Sequence, residues 1–353
     1  MSLAQLQIHN LRNLKSARLD FHPHINFFSG INGSGKTSIL EAIYLLGSGH
    51  SFRTREILPL ISQGEETMTV FSRTFDQQTI SIQKSLHSPT QVRINKLACQ
   101  SSSELARFLP CQVFYQDIFQ IIDAGPSVRR SVMDWGLFHV KQDYHSLWKD
   151  YKRALKQRNF LLKQKASPKE LLPWNRILDD LASQLHHARE NYFLQLRPKF
   201  EKTLEQLSSF HCSLSYYKGW DKRDTGKSLA IILEENYQKD VLRQFTQYGA
   251  HQADLSVASE EFTAKQYLSR GQQKILLFSL KLAQASIMSK PCIYLCDDLA
   301  SELDKVHIER LLNFFLTLEG QFFITSTLPL VDSLTSQTKS KMFSLVDGNV
   351  TQQ

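Results

Sequence analysis

The sequence predicts an α/β fold: a nucleotide-binding body assembled from both ends of the chain and interrupted by an inserted helical lobe. Three observations carry that expectation. Gly30-Ile31-Asn32-Gly33-Ser34-Gly35-Lys36-Thr37 has the spacing G-x-x-x-x-G-K-[ST], and it lies between a short apolar run, Ile25–Ser29, and a stretch of helical spacing at 38–46. From Pro126 to about residue 208 the pattern turns helical, with few breakers. After Gly249 strand and helix alternate again, and an apolar strand there ends in two acids, Asp297 and Asp298.

The elements follow in order. Residues 3–8 and 17–21 read as paired strands, and 69–75, 79–86 and 91–97 as a meander with polar turns. Gly47 is expected to stop the first helix. Ser167-Pro168 marks a helix start between two helical stretches, 128–165 and 174–208, which read as a hairpin; Pro198 is expected to kink or divide the second. An apolar helix at 274–289, buried strands at Cys292–Cys296 and 322–327, and a closing hairpin around Asp347-Gly348 complete the chain. The expected division is 1–110, N-terminal part of the nucleotide-binding body; 111–273, helical lobe ending in the segment 268–273; and 274–353, C-terminal part of the body.

With 353 residues and 42 % hydrophobic content, the chain can bury a substantial core. No run of eighteen apolar residues occurs, and the first residues have neither a basic nor an apolar signal segment, so a cytoplasmic protein without a membrane partner is expected. Five scattered cysteines with no Cys-x-x-Cys point to reduced thiols, and Cys292 and Cys296 read as core. The net charge of +8 favours a polyanionic partner. Most of it is local: residues 127–165 hold ten basic and three acidic side chains. Lys149, Lys152, Arg153 and Lys156 there are expected to track a DNA backbone, giving salt-sensitive affinity that ignores sequence. Arg129 and Arg130 read equally well as DNA contacts or as salt bridges between the arm and the body.

The loop chemistry is specific. Backbone N–H groups of Gly30, Ile31, Asn32, Gly33, Ser34 and Gly35, with the helix dipole behind them, suit phosphate, and Lys36 adds a cation. A bound nucleoside triphosphate brings Mg²⁺, which takes oxygen ligands. Thr37 and Asp297 are the expected ligands, with Asp298 polarising the attacking water and Gln112 or Gln116 completing the set. Acids at the carboxyl end of a buried strand point into the crevice where open α/β sheets bind ligands. Gly226-Lys227-Ser228 ends like a second such loop, but Asp221 stands where its first glycine belongs.

Leu268-Ser269-Arg270-Gly271-Gln272-Gln273-Lys274 runs straight into the apolar helix. It resembles the L-S-G-G-Q signature of ABC-type ATPases, with Arg270 in place of the first glycine. Ser301-Glu302-Leu303-Asp304 resembles the D-loop that follows. No switch histidine follows the last core strand; Thr325 or Ser326 stands in that place, and the second acid is Asp rather than Glu.

Further segments extend the resemblance to the RecF family of SMC-like ABC ATPases over essentially the full length. These are Leu11-Arg12-Asn13-Leu14, Ser48-Gly49-His50-Ser51-Phe52-Arg53, Gly125-Pro126-Ser127-Val128-Arg129-Arg130 with Asp134, and Gly249-Ala250-His251-Gln252-Ala253-Asp254-Leu255, where Ala250 and Gln252 depart from the family pattern. The resemblance implies an ABC-type ATPase head (a P-loop NTPase) with a helical arm, ATP and Mg²⁺ as cofactors, and weak, DNA-stimulated hydrolysis. It places Arg12 near the nucleotide, and Ser269, Gly271 and Gln272 against the γ-phosphate of a partner copy in an ATP-dependent homodimer. The implied partners are single-stranded, duplex and gapped DNA, RecR, and RecO through it, in recombinational repair and replication. Two other readings remain open from the motifs alone: a transporter-type nucleotide-binding subunit, and an adaptor whose ATP is structural.

Overall fold

A computed structural model describes residues 2–115, 120–123, 125–259, 262–263, 268–327 and 340–352. The chain forms two compact units, 1–118 with 289–353, and 119–288. These limits differ from the expected 110/111 and 273/274, for reasons visible in each unit.

The first unit holds two sheets. β1 (Leu3–Leu11), β2 (Leu14–Asp20), β4 (Thr67–Thr74), β5 (Thr79–Ser85), β6 (Gln91–Ile94) and β7 (Leu97–Ala98) form an antiparallel sheet in the order β2-β1-β4-β5-β6-β7. The second sheet runs β15-β14-β3-β13-β12-β8. Its strands are β3 (Ile25–Ser29), β8 (Cys111–Phe114), β12 (Cys292–Cys296), β13 (Gly320–Ser326), β14 (Ser340–Val346) and β15 (Asn349–Gln352). All neighbours in it pair in parallel except the β14–β15 hairpin. β8 belongs to this sheet because its four residues are buried and pair with β12, which moves the boundary past 110.

Helix α1 (Lys36–Ser48) is sealed in one core with both sheets: Ile39, Leu40, Ile43 and Leu46 pack with Leu6, Ile8, Val70, Leu295 and Phe323. Buried Gln321 ties the sheets together, accepting from Leu3 N–H at 2.7 Å and donating to the Leu3 and His22 carbonyls at 2.8 Å. Gly47 does not stop α1. It lies inside the helix, where a Cβ would meet the Leu109 carbonyl oxygen at 2.7 Å. The stop is Gly49, left-handed at φ 77°, with its N–H on the Leu45 carbonyl. The unit also holds α2 (Ser102–Phe108). A further helix, which we label α10 because of its place in the chain, spans Lys305–Thr317. Phe315 of that helix stacks on Phe322, which stacks on Tyr294.

The second unit is mainly helical: α3 (Gln120–Asp123), α4 (Pro126–Val140), α5 (Tyr144–Lys163), α6 (Pro168–Leu207), α7 (Leu229–Glu235), α8 (Tyr237–Arg243) and α9 (Arg270–Ala285). A small sheet, β11-β10-β9, comprises β9 (Ser213–Tyr217), β10 (Asp254–Ser259) and β11 (Phe262–Thr263). The expected hairpin is α5 and α6, and a capping box between Ser167 and Glu170 starts α6. Pro198 does not divide α6, which runs unbroken for 40 residues. Pro198 and Leu194 both lie on the exposed face, so water can serve the carbonyl that the missing N–H leaves free, while Leu196 and Phe200 stay buried. α9 packs on α6, which draws 274–288 into this unit. Ser228 of the glycine-lysine-serine decoy caps α7. No helix among the described residues is long and apolar enough to cross a membrane.

Candidate nucleotide-binding site

The first unit gathers its chemistry at the carboxyl ends of the parallel strands. The glycine loop follows β3, Asp297 and Asp298 follow β12, Thr325 is the second-last residue of β13, and Tyr115 follows β8. They surround a cavity of about 640 Å³ lined by Asn32, Gly33, Gly35, Lys36, Thr37 and Ser38 on the loop side and by Asp297, Asp298 and Thr327 opposite. Arg12, Asn13, Phe52, Arg53 and Tyr115 complete the wall.

The loop is built for close approach. A Cβ on Gly30 would lie 2.5 Å from the Leu345 carbonyl oxygen and 2.7 Å from Ser34 Oγ. Gly35 opens α1 at φ 110°, a conformation that excludes a side chain at little cost only for glycine. Ser34 is buried, and its hydroxyl has no hydrogen-bond partner within the described residues. Lys36 is also buried, its ammonium held by the Gly30 and Ile31 carbonyls at 2.6 and 2.8 Å. Burial lowers the Lys36 pKa, opposed by the charges of Asp298 and Asp297. An incoming phosphate offers that ammonium a stronger acceptor than two neutral carbonyls.

Thr37 and Asp297, the two expected magnesium ligands, meet. Thr37 Oγ1 donates to the Asp297 carboxylate, 3.0 and 3.1 Å from its two oxygens. Thr325 Oγ1 lies 2.9 Å from Asp297 Oδ1 and accepts from the Asp298 N–H at 2.8 Å. Of the two candidates for the place after the last core strand, Thr325 therefore reaches the acids. Burial raises the Asp297 pKa, opposed by the hydroxyls of Thr325 and Thr37. A hydroxyl and a carboxylate at hydrogen-bond distance, beside a lysine on a phosphate loop, are a donor set that fits Mg²⁺. Asp298 is held at φ 48°.

The expectation for Gln112 is corrected. It sits mid-strand in β8, paired in register with Tyr294 three residues before Asp297, and it is not in the cavity wall. Its neighbours Cys111 and Val113 point to the α1 core, so the two-residue period turns Gln112 to the other face. Gln116 lies outside the described residues.

Arg12 does line the cavity, held at φ 52° by a buried partner. Its guanidinium pairs with Glu41 of α1, which also accepts from Ser51 Oγ, and it donates to the Pro59 carbonyl at 3.1 Å. Asn13, next to Arg12 and not among the expected site residues, clasps the loop: its Nδ2 donates to Gly33 O at 3.0 Å and its Oδ1 accepts from Ser38 Oγ at 3.0 Å. Phe52 and Arg53, from the 48–53 segment that extends the family resemblance, and Tyr115, to which that reading assigned no role, also line the cavity; Phe52 and Tyr115 pack ring to ring, 5.1 Å apart.

In the second unit, Ser269 is the N-cap of α9. Its Oγ accepts from Gln272 N–H, and Gln272 Oε1 accepts from Ser269 N–H at 2.9 Å, a capping box. Ser269 and Arg270 are exposed, Gly271 and Gln272 half-buried, so the helix N-terminus faces outward. Removing the Ser269 cap is expected to cost about 1 kcal/mol.

The four α5 cations, Lys149, Lys152, Arg153 and Lys156, are exposed. Arg129 and Arg130 are engaged within their own unit: Arg129 grips Asp254 with two 2.8 Å bonds, and Arg130 donates to the Ala253 carbonyl at 2.7 Å. These contacts join α4 to β10 inside the helical unit, rather than joining the arm to the ATPase body.

A model of the RecF/RecN/SMC N-terminal domain matches residues 2–344. The DNA replication and repair protein RecF of Cellvibrio japonicus (strain Ueda107) is 38 % identical over 335 residues, 92 % of this chain and 91 % of that protein. Its counterpart in Marinomonas sp. (strain MWYL1) is 36 % identical over 361 residues, 99 % and 97 % of the two chains. A solved structure of the recombination mediator RecF with ATP, from the RecFOR pathway, superposes with a TM-score of 0.83 at 25 % identity, covering 100 % of this chain and 97 % of that one. An Smc head bound to the C-winged helix domain of ScpA shares the fold, with a TM-score of 0.64 at 16 % identity over 100 % and 98 %. With its phosphate loop, paired acids and signature helix in the order of an ABC-type ATPase, the chain belongs to the RecF family of the RecF/RecN/SMC group.

Proposed function

We propose that this chain is an ATP-gated DNA-binding protein of recombinational repair and replication, whose two copies close on ATP and open on slow hydrolysis. The observation that carries this is the meeting of Thr37 with Asp297, 260 residues apart in sequence, on the wall of a cavity that also holds Lys36 and Asp298. The likeness to a RecF structure containing ATP supports the same ligand.

Lys36 leaves its loop carbonyls for the phosphates, and the loop N–H groups and α1 dipole hold the remaining oxygens. Thr37 and Asp297 would hold Mg²⁺, which would supply charge neutralisation at the phosphates. Asp298 orients the attacking water and accepts its proton. Aspartate is one methylene shorter than the glutamate common at this position, which favours slow turnover. The exposed N-terminus of α9, with Ser269, Gly271 and Gln272, is incomplete as a phosphate site within one copy, which suits it to the nucleotide of a second. The exposed cations of α5 contact duplex, single-stranded or gapped DNA, and the pathway partners are RecR and, through it, RecO. A transporter subunit would need neither the basic helix nor this family's full-length match.

Sedimentation tests the sandwich. Asp298→Asn in saturating ATP is expected to run as a dimer, and Lys36→Met, which loses nucleotide binding, as a monomer. An Asp298→Asn protein that binds ATP and still sediments as a monomer rejects the closed dimer.

A further inference from the structure

We infer that the outer face of α5 is a binding surface for single-stranded DNA, with Phe160 as a base-stacking platform between lysines that hold the backbone. The inference rests on the DNA-binding reading above and gives it a substrate class. Lys149, Lys152, Lys156 and Lys163 are exposed and follow one another at intervals of three, four and seven residues. That spacing sets them in one stripe along α5, about 21 Å long. The gap in the stripe, at the position one turn beyond Lys156, is Phe160, and its side chain is 57 % exposed.

The ring is not a stray surface residue on a polar field. It borders a groove of about 380 Å³ whose wall is Lys152, Leu155, Lys156, Asn159, Phe160 and Lys163. Lys156 and Lys163 stand about 6 and 4.5 Å along the axis on either side of it. Lys152 is steered rather than free to wander, since its ammonium lies 5.3 Å from the Trp148 ring centroid. Asn159 is anchored inward by Thr246, whose N–H and hydroxyl donate to its Oδ1 at 2.8 and 2.7 Å, so the floor of the groove is fixed.

Cations alone would suit any polyanion. An aromatic face within the cationic stripe selects a strand whose bases are open, because stacking needs a base plane that a duplex keeps inside. The stripe would still hold a duplex by its phosphates, but Phe160 would add nothing to that binding. Stacking tolerates every base, which fits a protein that meets arbitrary sequences at a gap.

The test compares a labelled oligothymidylate with a labelled duplex of equal length, binding the full chain with ATP at low salt. Phe160→Ala is expected to weaken the oligothymidylate complex roughly tenfold and the duplex complex less than about twofold. Phe160→Trp is expected to keep the affinity, and oligothymidylate is expected to quench its added indole fluorescence. Lys152→Glu with Lys156→Glu is expected to weaken both complexes and flatten their salt dependence. Equal affinities for wild type and Phe160→Ala on both DNAs, or an equal loss on both, would overturn the stacking surface while leaving duplex binding in place. A wild-type chain that binds neither DNA would overturn the DNA-binding reading as well.

Discussion

Asp297 shows how a single residue in this protein trades stability for ligand binding. Its carboxylate is drawn from water, and the hydroxyls of Thr325 and Thr37 offset that burial only in part, so its pKa lies above the ordinary carboxylate value. A group raised in this way stabilises the unliganded fold while protonated, and that contribution is lost as pH rises through its folded pKa. A magnesium ion held there would need the ionised form, so metal-dependent nucleotide affinity is expected to climb as pH rises through the raised Asp297 pKa. The midpoint should sit above that of an exposed aspartate, and titration calorimetry across a pH series reads it. Asp297→Asn keeps an oxygen for Thr37 and Thr325 but removes the charge. It is expected to weaken metal-nucleotide binding at least about tenfold and to raise the stability of the unliganded protein by roughly 1 kcal/mol. A variant that melts well below wild type without ligand would show that the carboxylate is structural.

At the scale of elements, the helical unit is held by charges placed where helices meet. Arg158 of α5 and Asp240 of α8 are fully buried and bonded at 2.8 Å; Asn175 accepts from the Arg158 Nε at 2.8 Å and Thr246 from the same Nη1 as Asp240 at 2.7 Å, while Nη2 has no partner among the described residues. Arg189 of α6 reaches Asp134 of α4 at 2.9 Å and the Ala250 carbonyl at 2.6 Å. His251 packs into this cationic interior, its Nδ1 2.7 Å from the Tyr151 hydroxyl and its Nε2 3.0 Å from the Thr246 carbonyl. Burial first, and then the charges of Arg130, Arg158 and Arg189, push its pKa down to about 4. The unfolded chain therefore takes a proton near pH 6.5 that the folded unit refuses until about pH 4. Stability is expected to fall over that window as pH drops, by on the order of 3 kcal/mol. Urea unfolding at pH 7 and near pH 4.5 measures the loss. His251→Gln should flatten the slope, and an unchanged slope would place the titration elsewhere.

At the scale of the molecule, an ATPase unit carries the phosphate loop and both acids, and a helical unit carries the signature helix and the basic face. If nucleotide and DNA are coupled through a dimer, DNA affinity must depend on ATP. Binding across a salt series is expected to be tighter with ATP, with log affinity falling linearly as log salt rises in both states. Two copies closed on ATP would bring two α5 faces to the DNA, so the slope should steepen with ATP. Affinity and slope indifferent to ATP would separate the two activities.

Much of the chemistry in each unit is written in short segments. The loop at 30–37, the acids at 297 and 298 and the Ser269 cap each depend on contiguous residues, and local spacing is sufficient to find them. The central strands and α1 are legible for the same reason, since an apolar run or a 3.6-residue period is a local property. What needed the third dimension depends on partners far apart in the chain. Gly47 resembles a helix stop, yet it is inside α1 because Leu109 packs against it; Pro198 resembles a break, yet α6 continues because that face is wet. Arg129 reads from its surroundings in sequence as one more cation of a basic stretch, yet Asp254, 125 residues away, binds its Nε and Nη2. Gln112 has the right side chain, but the pleat turns it from the cavity that Asn13, Phe52 and Arg53 reach. Local sequence specifies the chemistry of each piece; long-range packing and strand register select which pieces share a site.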